Sequence, residues 1–154
     1  MRVYSANFDQ VSISAAQDVF SIKASSTVPC KLLAIYLGQS SKATDANNAQ
    51  QRWQIRRGQT SQGSGGSTIT PRPVTIADTA SGVTAHANDT TQANTGTITI
   101  LHDDVFNIEA GLIWIATERY QFEWSAATCL TVEFPAIAVT ATYNGTIYFC
   151  ELAG

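Results

Sequence analysis

Apolar residues recur at every second position along most of the chain, and no segment carries a stripe at helical spacing. From Arg2 to Ser14, Val3, Val11 and Ile13 punctuate polar neighbours, and in Asp18–Ala24 the residues Phe20, Ile22 and Ala24 share a face. Lys31–Gln39 is more continuously apolar, as in a strand covered on both sides. Gln51–Arg57 sets Trp53, Ile55 and Arg57 against Arg52, Gln54 and Arg56. Further strands are expected at Thr95–Leu101, Val105–Ile108 and Cys129–Phe134, the last stopping at Pro135. Gly111–Thr117 reads as a buried strand, and Tyr120, Phe122 and Trp124 alternate on one face. Ile137–Tyr143 and Thr146–Leu152 flank Asn144-Gly145, the strongest short hairpin signal. Ser41–Gln51 lacks an apolar stripe and is expected to be a loop or one short turn.

About eight to ten short strands with Gly and Pro punctuation mean an all-β sandwich or barrel. No blade-length repeat is present, which argues against a propeller or solenoid. Among the rest, a jelly-roll β-sandwich spanning 1–154 as one domain fits best, with a long irregular mid-chain excursion. That excursion is Gln59–Thr95, rich in Gly, Ser, Thr, Asn and Pro, with Val74–Ile76 as one short strand inside it. It reads as a polar arm able to lie along a neighbour, and removing Gln62–Ala93 is expected to leave a folded body.

The chain has 154 residues, 44% hydrophobic but only 14% charged, where an ordinary soluble domain carries about 25% charged. Ala, Thr, Ser, Asn and Gln make up the difference, and a weakly charged surface tends towards association. A net charge of -3 gives no electrostatic case for nucleic acid or an anionic membrane. No apolar run approaches the ~20 residues of a spanning helix, and Met1–Gln10 forms no signal-peptide core. Cys30, Cys129 and Cys150 lie far apart with no CxxC pair, so they read as small buried hydrophobes. A disulfide between two of them stays open, with no means of choosing the pair.

The residues that could carry chemistry do not assemble into a recognisable pattern, so no enzyme, cofactor or metal is expected. His86 and His102 are the only histidines, and His102-Asp103-Asp104 lacks ligands converging from several elements. Glu118, Glu123 and Glu133 could in principle pair for glycoside hydrolysis, but Glu123 and Glu133 alternate with apolar residues and read as the wet face of a sheet. Gly63-Ser64-Gly65-Gly66 has neither the lysine of a phosphate loop nor the GxSxG of a nucleophile elbow. The most basic stretch, Gln51–Arg57, is expected to bury Trp53 and Ile55 while its arginines pair with neighbouring strands or subunits. Arg52, Arg56 and, from the excursion, Arg72 are the candidate partner-binding residues.

Taken together, five stretches resemble a group of small bacteriophage and prophage proteins. They are Val11–Phe20, Ile35–Ser40, Ile55–Gly58, the glycine-serine run Gly63–Pro71, and Tyr148–Glu151. The sequence departs from that pattern at Trp53, where a smaller apolar residue is expected, and at Cys150. The resemblance implies a virion component: a jelly-roll decoration (cement) protein on the capsid surface, made in the host bacterial cytoplasm. Its partners would be the major capsid protein and copies of itself, as a homotrimer. Two other readings stay open. One is a different virion part, such as a head–tail connector, tail component or fibre module. The other is a carbohydrate-binding β-sandwich for host attachment, with Trp114, Tyr120 or Trp124 as stacking platform.

Overall fold

The computed structural model describes residues 1–41 and 49–152, and the reading of Ser41–Gln51 as a loop falls largely outside them. Among the described residues, twelve strands make two antiparallel sheets with the apolar core between them. The first four are β1 (Arg2–Ile13), β2 (Gln17–Lys23), β3 (Cys30–Gln39) and β4 (Gln50–Gln59). Three short ones follow in the excursion: β5 (Ser67–Ile69), β6 (Arg72–Pro73) and β7 (Thr84–Asp89). The chain returns through β8 (Gly96–Asn107), β9 (Leu112–Ile115), β10 (Glu123–Trp124), β11 (Cys129–Phe134) and β12 (Ala141–Glu151).

The topology is one long antiparallel ribbon, rolled up. β1 pairs with β12, β2 with β11, β3 with β9 and β10, and β4 with β8. Rolling brings β12 against β3 and β11 against β4. One sheet therefore runs β10-β3-β12-β1-β6 with β9 also on β3, and the other runs β5-β7-β2-β11-β4-β8. This is the winding of a jelly roll, as the strand count and the mid-chain excursion led one to expect. Inward residues alternate as the pleat requires: Phe20 and Ile22 from β2, Leu130 and Val132 from β11, Ile147 and Phe149 from β12 are all fully buried.

The excursion sits at the tip of the ribbon, between β4 and β8, and it is no free arm. β7 pairs with β2, β5 pairs with β7, and β6 pairs with β1 on the other sheet. Val83, Ala85, Ala87 and Ala93 are buried. Small apolar residues at every second position were the signal for β7, diluted by the polar residues around them. Val74–Ile76 is not the strand; it forms a turn, with Ile76 fully exposed and the Asp78 N–H donating to Thr75 O at 3.0 Å.

Four other expectations are corrected. Thr95–Leu101 and Val105–Ile108 fall largely in a single strand, β8, in which His102-Asp103-Asp104 pair in regular register with β4 and the register shift between Ile55 and Arg56 leaves out Leu101. Gly111–Thr117 is not buried: β9 is an edge strand whose Ile113 and Ile115 face solvent. Tyr120, Phe122 and Trp124 do not share a strand, because Glu118–Tyr120 is a 3-10 turn. Asn144-Gly145 makes no hairpin either, since β12 runs straight through it, paired on both sides. Glycine is needed there because a Cβ would stand 2.5 Å from Phe8 Cε1 and 2.8 Å from Leu37 Cδ2.

Candidate functional site

Cys30, Cys129 and Cys150 are all free and buried, and burial pushes the Cys30 thiol up to about 12 and the Cys129 thiol up to about 11. They pack as hydrophobes. Surface sites must be sought on the two outward faces of the sandwich.

The outward face of the β7-β2-β11-β4-β8 sheet carries an unusual row. Register aligns Asp89 with Asp18, Asp18 with Glu133, Glu133 with Gln54 and Gln54 with Asp103. Over the first three of these lies the last stretch of the excursion. Gln92 Nε2 donates to Glu133 Oε2 at 2.9 Å, and the Ala93 N–H donates to Asp18 Oδ2 at 2.8 Å. Arg56 ion-pairs with Glu133, stands 3.6 Å from Asp18, and donates to Ala93 O and Asn94 Oδ1, each at 3.3 Å. The segment is thus a strap, with a buried polar seam beneath it. Asp89 at the far end accepts from the Gly66 N–H at 3.3 Å and meets His86 Nδ1 at 3.2 Å.

Burial penalises charge in this seam. It lifts Asp18 to about 7, against the lowering effect of the Ala93 N–H and the Arg56 charge. Glu133 is raised for the same first reason, with Arg56 pulling it back. Glu133 is therefore buried and does not form a wet sheet face; only Glu123 is solvated, paired with Lys31 at 3.0 Å. No local periodicity could have shown this, because what covers Glu133 is a segment some forty residues away in sequence.

The three candidate arginines are separated by the fold. Arg56, with its side chain 11% exposed, is engaged by the seam. Arg52 is exposed and forms a two-pronged pair with Asp103, Nε to Oδ1 at 2.9 Å. This pair, with Gln54 also donating to Asp103 Oδ2 at 2.9 Å, holds the Asp103 carboxyl down to about 2. Arg72 is exposed on β6, at the margin of the opposite sheet. Arg57 turns away from the seam and donates from Nη1 to Glu123 O at 2.7 Å.

The strap covers the β7-β2-β11 side and leaves the β4–β8 side open. There Ile100 is 54% and Val105 53% exposed. Their cross-strand neighbours are Arg56 and Arg52, which places both on the outward face, flanking the Arg52–Asp103 pair. β8 is twelve residues long and is the last strand of its sheet, paired among the described residues only with β4. Long edges of this kind are normally short, bulged or covered.

Of the aromatic residues considered as platforms, Trp124 is buried in the core against Phe149. Trp114 is half-buried, stacked on Phe122 with ring centroids 5.5 Å apart and 6.2 Å from His102 of β8. The rings of His102, Trp114 and Phe122 thus stand in series. Tyr120 is exposed on the 3-10 turn. The sequence reading overlooked Tyr36, which stands on the outward face of the other sheet. It pairs across with Ile113 and Thr146, and its ring is edge-on to Tyr148 at 6.0 Å.

Fold and surfaces together define a jelly-roll sandwich with one strapped face and one long open edge. Compared with family models, curated proteins and solved structures, the chain matches none.

Proposed function

We propose that the protein is a structural component of a bacteriophage particle: a decoration (cement) protein that binds the outer surface of the major capsid protein as a homotrimer. The observation that carries this reading is the open β8 edge with Ile100 and Val105 beside it. An edge strand next to two exposed aliphatic side chains is a template for an added strand, with the Val105 N–H already held by Asp104 Oδ1 at 2.8 Å. A neighbouring chain that supplies one gains main-chain hydrogen bonds along the strand and covers both side chains. Arg52 and Asp103 neutralise each other at the middle of this surface, so covering that pair adds no net charge to the interface. Low overall charge and the resemblance to phage proteins support the same role.

The test is co-sedimentation of the purified protein with empty shells of its own phage. Wild-type protein is expected to bind in large excess over portal copies, and to be an oligomer by light scattering. Ile100→Asp with Val105→Asp is expected to weaken binding at least tenfold while keeping the circular dichroism spectrum. Binding confined to one vertex would replace the decoration reading with a head–tail connector. Undiminished binding by the double variant would remove β8 from the interface.

A further inference from the structure

The opposite face of the sandwich carries a groove of about 480 Å³. Its walls are built by two irregularities. On one side β1 changes register between Phe8 and Val11, Gln10 takes φ 49°, and its N–H donates to Asn144 Oδ1 at 3.0 Å. That displaced segment carries Asp9 on the groove's rim. On the other side the turn after β8 is tied by Asn107, whose Oδ1 accepts from the Glu109 N–H at 2.9 Å and whose carbonyl accepts from the Gly111 N–H at 3.0 Å. It brings up Glu109.

Between the walls lies Gly38, inside β3. Two other glycines of the groove have packing reasons. A Cβ on Gly111 would stand 2.8 Å from Leu37 O, and Gly145 is pressed by Phe8. Gly38 has none among the described residues: a Cβ there meets nothing of them within 4 Å, and its backbone is not in the left-handed region. Glycine weakens a strand interior, and where the fold does not require it, it marks a place that something outside approaches closely.

We infer that this groove is a saccharide-binding site, taking a neutral pyranose whose apolar ring face lies on Tyr36 over the bare Gly38 floor. Tyr36 is 37% exposed and its ring is held by Tyr148, so the platform is ordered before anything binds. Asp9 and Glu109 offer carboxylate acceptors for sugar hydroxyls, and Asn7 offers an amide that both donates and accepts. Among the described residues the charged groups lining the groove are the carboxylates Asp9 and Glu109, which disfavour phosphorylated, sulfated or sialylated ligands. The groove lies on the sheet facing away from the β8 surface, so the inference does not rest on the capsid reading.

The probe is a glycan array holding neutral hexose and N-acetylhexosamine oligosaccharides, with sialylated and sulfated members and an immobilised oligolysine peptide as contrasts. Wild-type protein is expected to be retained by a subset of the neutral glycans. Gly38→Leu, which starts from a position where an added Cβ meets no described residue within 4 Å, and Tyr36→Ala are each expected to bind those glycans at least tenfold more weakly. Both variants should keep the wild-type spectrum and a cooperative transition, with Tyr36→Ala melting somewhat lower for the loss of its edge-on contact with Tyr148. Asp9→Asn, on the exposed rim, is a third variant that leaves packing alone and should also weaken retention. Absence of retention on any neutral glycan, preference for the anionic ones or for oligolysine, or undiminished binding by folded Gly38→Leu overturns the inference.

Discussion

Replacing Asp18 by Asn tests whether the buried seam is set by desolvation. The carboxamide keeps an oxygen for the Ala93 N–H and matches the carboxyl in shape, so the substitution removes charge and little else. The charged and titratable groups facing it are Arg56, Glu133 and Asp89, with His86 behind Asp89. In the unfolded chain an Asp ionises near 3.9. In the fold Asp18 is raised to about 7. The folded state therefore holds its proton longer, and the contribution is complete below pH 4 and lost as pH rises through about 7. Three pH units at about 1.4 kcal/mol each give an upper bound of about 4 kcal/mol. Roughly 2–3 kcal/mol of that falls between pH 5 and pH 8, equivalent to about 5–10 °C in melting temperature for a chain of this size. The assay is thermal unfolding of wild type and Asp18→Asn across that range. The two are expected to come closest at pH 5 and to diverge with rising pH, the variant becoming the more stable. Glu133 remains in both and leaves a shared slope in the same direction. Parallel curves, or a wild type that gains on the variant towards pH 8, would refute the reasoning.

Two further outcomes follow from packing. Gly145→Ala should cost about 1–3 kcal/mol by chemical denaturation, since Phe8 and Leu37 must both move aside for a methyl group. Deleting Gln62–Ala93 should abolish cooperative unfolding, because it uncovers the β2 edge and leaves Asp18, Glu133 and Arg56 without the strap; a truncated chain with a sharp transition would restore the picture of a free arm.

What the sequence made legible was whatever depends on neighbours within a strand. Period-two alternation placed most of the strands, and Trp53 and Ile55 were correctly assigned to the core. The errors share a physical cause, namely contacts between distant segments. Asn144-Gly145 carries the local chemistry of a turn, but Phe8 packs over it and β12 is paired on both sides. Gly111–Thr117 has the composition of a covered strand, yet it falls at an edge where Ile113 and Ile115 are left open. Glu133 alternates like a surface residue and is buried by the strap, which also engages Arg56. The groove was harder still, since its floor is marked by a missing side chain at Gly38 and its walls by a bulge and a turn that no motif encodes.

The ribbon topology also fixes when this molecule can become itself. Arg2 pairs with Glu151, and β12 fills the slot between β1 and β3. A nascent chain emerging from the ribosome therefore cannot close that sheet until residue 151 has cleared the exit tunnel, however early β1 and β3 appear. Until then two long strands wait side by side with nothing between them, and nearly every stabilising contact spans a large sequence separation, which slows folding. Synthesis has to run well ahead of structure, and the unfinished chain is the form most exposed to aggregation and to chaperones.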